Sequence, residues 1–296
     1  MVASGSGQPQ YELVDGWGQL PDGWRWGQVG GVAVDSQDRV HVFTRTDHPL
    51  MVFEADGRFL YSWGEGFLED AHGICIGPDD SIYLVDRVPQ VVMKFTHDGH
   101  LLLTMGNRNQ PSDTGYTDEN RTVLHAGPPF HHPTDITLSP DGDLYVSDGY
   151  RNCRVHKFSQ GGELLFSWGE PGEGHGQFRL VHSVWDHKGR IYVADRQNNR
   201  LQVFTPEGEH LDTWPGFLEP CKIYIDRDDI IYVAELGGRV SILDLQGNVL
   251  NRWGGERTHE PGLFWAPHGI WADSQGDIYV SEVLDGQRVQ KFRRKR

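Results

Sequence analysis

The chain has 296 residues, a formal net charge of −15, 37 glycines, 10 tryptophans and three cysteines. That acidic balance argues against a nucleic-acid partner, since phosphate binding relies on clustered Lys and Arg, and the closing "RRKR" reads as a solvated tail. No run approaches the roughly 18 apolar residues of a membrane span, "MVASGSGQPQ" lacks the regions of a signal peptide, and the cysteines are odd in number and widely spaced. Together these predict a soluble chain of a reducing, cytoplasmic compartment with no membrane partner.

In chain order, residues 1–10 read as flexible, and "ELVDGWG" (12–18) reads as a strand without a neighbour. Then one unit recurs: "VAVDSQDRVHVFTR", "GICIGPDDSIYLVD", "DITLSPDGDLYVSD", "SVWDHKGRIYVAD", "KIYIDRDDIIYVAE" and "GIWADSQGDIYVSE". Each is strand, Asp/Gly turn, strand, and each is followed by a third strand such as "QVVMKF" or "RLQVF". Five have a fourth strand, among them "FLYSWG" and "ELLFSWG"; the sixth lacks one. "ELVDGWG" matches "ELLFSWG", so the N-terminal strand is predicted to complete the last sheet and close a ring, as edge protection requires. The fold expected is all-β, a six-bladed β-propeller in one domain over 1–296. The second strands start at Val40, Ile82, Leu144, Ile191, Ile231 and Ile278, and only the step of 62 from Ile82 to Leu144 is out of line. It marks an insertion, 107–130, predicted to lie over the axial mouth.

With strands labelled a to d in chain order within a blade, the start of strand a and the b-to-c loop fall on one face. Ten residues before each strand b stand Gly30, His72, Thr134, Val181, Cys221 and His268, and His182 is one residue off, beside a turn one residue shorter. Three histidines from alternate blades therefore share one level. Three imidazoles with an open direction suit a catalytic zinc. His132 and Cys221 can reach the same mouth, Cys221 reading more simply as a small buried thiol. The b-to-c loops add Arg45, Asp47 and His48 in "TRTDHP" and Tyr150 in "DGYRN". Arg45 suits a substrate carboxylate and Tyr150 suits proton transfer, whereas Asp86, Asp148 and Asp195 at strand ends suit bonding to turn amides. A loop Arg is most often only solvated, so Arg45 and Tyr150 keep that bland alternative.

The repeats resemble NHL repeats, and "PTDITLSPDGDLYVSDGYRNCRVHKFSQGGELLFSWGE" with "GQFRLVHSVWDHKGRIYVADRQNNRLQVF" closely resembles the central blades of peptidyl-α-hydroxyglycine α-amidating lyase. "GQVGGVAVDSQDRVHVFTRTDH", "AHGI" and "PHGI" extend the resemblance over nearly the whole chain. It implies zinc on His72, His182 and His268, substrate contact by Arg45, and catalysis by Tyr150. The reaction implied is cleavage of the C–N bond of an α-hydroxyamide to an amide and glyoxylate, on a small or peptide-like substrate. The family's structural calcium uses an Asp directly after the last zinc His; Gly269 stands there, which puts calcium in doubt. Arg151 and His131 occupy the positions of a disulfide beside the catalytic Tyr. Two other readings stay open: a metal-dependent hydrolase of a lactone, ester or lactam, and a non-catalytic binding module. Oligomeric state is not legible.

Overall fold

The computed structural model describes residues 10–295, so the flexible segment expected at 1–10 lies, apart from Gln10, outside the described residues. Among the described residues the regular elements are strands and one 3-10 turn at Arg196–Asn198; six four-stranded antiparallel sheets form the blades of a six-bladed β-propeller, and Glu170–Pro171 pairs in parallel with Gln177–Phe178. Five sheets run a-b-c-d in chain order, and the sixth takes Tyr11–Val14 as its outer strand against Val289–Arg294, with Tyr11 opposite Arg294 and Val14 opposite Lys291. The strands b begin where the repeat predicts, except that the fourth, Arg190–Asp195, starts one residue early.

The chain separates into two compact units. One comprises Met1–Leu68 and Tyr224–Arg296; the other is Glu69–Ile223. The second contains the blades built on Ala71–Ile76, Pro133–Leu138 and Val181–His187. A shared core joins Tyr145 and Val155 of one sheet, Val184, Ile191 and Phe204 of the next, and Phe178 of the short strand between them. Each such side chain contributes about 1.5–3 kcal/mol by leaving water. In the first unit Tyr232, Val240, Trp253, Ile270, Val280 and Phe292 do the same between the last two sheets.

In four blades the acid ending strand b ties the blade to its own mouth loop. Asp86 accepts the amides of Glu69 and Asp70, Asp148 that of His131, Asp195 that of Arg179, and Glu282 those of Trp265 and Ala266. In the third blade the ties continue outward through Asp148 to Asn152 and through His156 to Ser167 at 2.7 Å. These acids are structural, and their regularity fixes where the next residue in the chain must stand.

Candidate metal and catalytic site

The unit Glu69–Ile223 assembles His72, His182 and Tyr150. His72 Nδ1–H donates to the carbonyl of Thr134 at 2.6 Å, and His182 Nδ1–H to the carbonyl of Cys221 at 2.8 Å. Donor and acceptor sit at the same repeat level on successive blades. Gly73 makes the first approach possible, because a Cβ there would lie 2.6 Å from the Thr134 oxygen. With Nδ1–H committed, each neutral ring presents the lone pair of Nε2. The rings are buried and their centres lie 4.8 Å apart.

Both Nε2 atoms face one oxygen. Tyr150 Oη is 3.3 Å from His72 Nε2 and 3.2 Å from His182 Nε2, and Arg196 Nη1 donates to it at 3.1 Å. The phenol has one proton, so it can hydrogen-bond only one of two neutral imidazoles. The other contact sets lone pair against lone pair, which a cation at the two nitrogens resolves. The donor set therefore fits a metal ion. Gly149 brings the Tyr150 turn hard against Val181, where an added Cβ would collide with its backbone.

In the other unit, His268 Nδ1–H donates to the Gly30 carbonyl at 2.6 Å, the same tie as in the first two histidines. His268 is buried, as His72 and His182 are. Calcium fits poorly after His268: a Cβ at Gly269 would lie 2.5 Å from Ser281 Oγ and 3.0 Å from Gly31 Cα, leaving no room for a carboxylate.

The remaining predicted residues are placed as follows. Arg45 donates to Gln28 Oε1 at 3.0 Å. Asp47 is exposed, and His48 stacks on Trp24 at 3.3 Å while bonding Glu65. His132, at φ 67°, gives its amide to Gln90, and burial with the nearby charges of Arg151 and Arg87 pushes its pKa down to about 4. Cys221 accepts from His182 through its carbonyl, and its thiol lies against the Arg196 side chain. The insertion is pinned by Thr114, whose hydroxyl donates to the Arg151 carbonyl at 2.7 Å and meets His131 Nδ1 at 3.1 Å. His131 and Arg151, in the disulfide positions, are joined by a main-chain hydrogen bond of 3.2 Å.

Sequence reading missed Arg87 and Arg196. Their guanidinium carbons lie 4.6 and 5.1 Å from the centre of the Tyr150 ring. The signal was available: Arg45, Arg87 and Arg196 each directly follow strand b and give their amides to Gln28, Asp70 and Leu180.

A propeller with this histidine group has clear relatives. The NHL repeat model matches residues 130–158, the stretch ending just beyond Tyr150. NHL repeat-containing protein 3 from Homo sapiens is 33% identical across 95% of this chain and 84% of its own length, and the chain belongs to this NHL repeat family. Peptidyl-glycine alpha-amidating monooxygenase from Mus musculus is 27% identical over 87% of this chain, which spans 29% of that protein. Peptidyl-alpha-hydroxyglycine alpha-amidating lyase 1 from Drosophila melanogaster is 27% identical over 82% of this chain and 48% of its own. The chain thus spans less than half the length of these two relatives. Among solved structures, a streptogramin B lyase superposes with a TM-score of 0.63 at 12% identity, over 97% of this chain and 98% of that one. A gluconolactonase from Xanthomonas campestris gives 0.64 at 11%, over 92% and 88%. Both share the fold.

Proposed function

We propose that the protein is a zinc-dependent lyase that cleaves the C–N bond of an α-hydroxyamide, giving an amide and an aldehyde acid such as glyoxylate. The observation that carries the reading is the Tyr150 hydroxyl set between two histidines whose Nδ1 atoms are already spent on carbonyls. Likeness to named amidating enzymes over more than four-fifths of the chain supports it.

His72, His182 and His268 would hold the metal, and zinc bound there would supply a Lewis acid able to make a substrate hydroxyl more acidic. Tyr150 carries the proton: the carbinol O–H gives it up, the C–O bond becomes C=O, and the C–N electron pair leaves on nitrogen, which takes a proton from Tyr150. Arg196, donating to the phenol oxygen, steadies it while the proton is away. The buried thiols of Cys75, Cys153 and Cys221 support a reducing compartment.

The test is release of glyoxylate from an N-acyl-α-hydroxyglycine, with Tyr150→Phe losing at least about a hundredfold in kcat while keeping its metal. A hydrolase is the second reading, favoured by the fold shared with gluconolactonases. Solvent oxygen-18 in the product would select it, and a metal-free protein with an intact fold would point to a binding module.

A further inference from the structure

We infer that Arg87 and Arg196 form an anion-binding subsite against Tyr150, taking a carboxylate of the ligand, and that Arg87 sets the preference for an anionic over a neutral ligand. The inference rests on the reading above for placing the ligand beside Tyr150, and it adds the group recognised there.

Two guanidinium groups approach one aromatic ring within 5.1 Å of its centre. Arg196 is 8% exposed; its side chain donates to Tyr150 Oη and lies against the Cys221 thiol, its Nε is buried with no hydrogen-bond partner, and no carboxylate lies within ion-pair distance of it among the described residues. Arg87 is held by Asp70, whose Oδ2 accepts from Nε at 2.6 Å, and its side chain is 20% exposed. Fixing Arg87 through Nε orients the planar head. Two cations thus share one carboxylate, in a chain whose overall charge is −15. A local excess of positive charge inside a strongly acidic protein is costly unless something anionic answers it, because a buried charge lacking its partner costs several kcal/mol. A carboxylate answers it with the geometry a guanidinium fork prefers. Arg45, at the matching repeat position, has a side-chain nitrogen engaged by Gln28.

The experiment is calorimetric titration of the full chain with N-acetylglycinate and with its neutral counterpart N-acetylglycinamide. The wild type is expected to bind the carboxylate at least about tenfold more tightly than the amide, the scale of one charge-assisted hydrogen bond. Arg87→Gln should erase that preference, and Arg45→Gln should leave it within about twofold. Arg87→Lys, which keeps the charge and loses the planar fork, should weaken N-acetylglycinate severalfold without changing N-acetylglycinamide. It decides the question if Arg87→Gln fails to fold. Equal binding of the two probes by the wild type, an unchanged preference in both Arg87 variants, or loss of preference in Arg45→Gln overturns the proposal. Absence of glyoxylate release with the Arg87-dependent preference intact would sink the lyase reading alone.

Discussion

His72 reaches across to the next blade and gives its Nδ1 proton to the carbonyl of Thr134 at 2.6 Å. The ring is thereby held in one tautomer and one orientation by a main-chain atom that no side-chain substitution removes. The residue that admits this bond is its neighbour, Gly73, whose missing Cβ leaves room for the same oxygen. Gly73→Ala is expected to cost about 1–3 kcal/mol of stability through overpacking and to weaken metal retention. Urea unfolding and a chelator competition read the two effects. Gly161→Ala, where the nearest atom to a new Cβ is Ser159 Oγ at 3.7 Å, is the control expected to leave both unchanged.

Metal content tests the ligand set directly. Protein purified without added metal should carry about one zinc per chain, as a three-histidine site does. The His182→Ala variant, and the His72→Ala/His268→Ala double variant, should carry none while retaining β-sheet circular dichroism. Zinc retained in the double variant would place the metal elsewhere.

Lys222 and Asp135 lie on strands of different blades in the unit Glu69–Ile223. Lys222 Nζ sits 2.7 and 2.8 Å from the two Asp135 oxygens, and Ser183 Oγ donates to Oδ2 at 2.6 Å. Both members of the pair are buried. Lys222→Met leaves an unanswered carboxylate and should cost about 3–5 kcal/mol, read by thermal or urea unfolding. Lys222→Met combined with Asp135→Leu should recover much of the loss. If the single variant is as stable as the wild type, the pair has no structural role.

Asp35 gives the stability its acid limb. Burial works against its charge, but hydrogen bonds from His41 at 3.0 Å and from the Arg39 amide and side chain outweigh it and hold the carboxyl down at about 2. A folded-state pKa below the unfolded value means the contribution is present above about pH 4 and is lost as pH falls toward 2. On that shift it amounts to roughly 2 kcal/mol. Asp35→Asn should be less stable than wild type at pH 6, and the difference should shrink steadily between pH 4 and 2.

The repeat made the blades legible because each strand pair carries its own turn, and the register of a hairpin is local. His72, His182 and His268 were legible for the same reason: position within a repeat translates into position on a face. Arg87 and Arg196 were hidden because their meaning depends on Tyr150, 63 and 46 residues away, and a loop arginine read alone is a solvated charge. Cys221 shows a role that residue type hides: its carbonyl accepts from His182, and any residue type would supply that atom. The insertion had no repeat to set its register, so nothing in its composition singled out Thr114 as its anchor.

The pairing of Tyr11–Val14 with Val289–Arg294 has a consequence in time. Tyr11–Val14 is made long before its partner, so this sheet cannot form until Val289–Arg294 has been synthesised. Every earlier sheet can zip from neighbouring hairpins, while this one waits on the longest loop the chain contains. A nascent chain stalled short of Val289 holds Tyr11–Val14 without its mate. Chains interrupted before Val289, more than chains extended past Arg294, are the species expected to depend on chaperones.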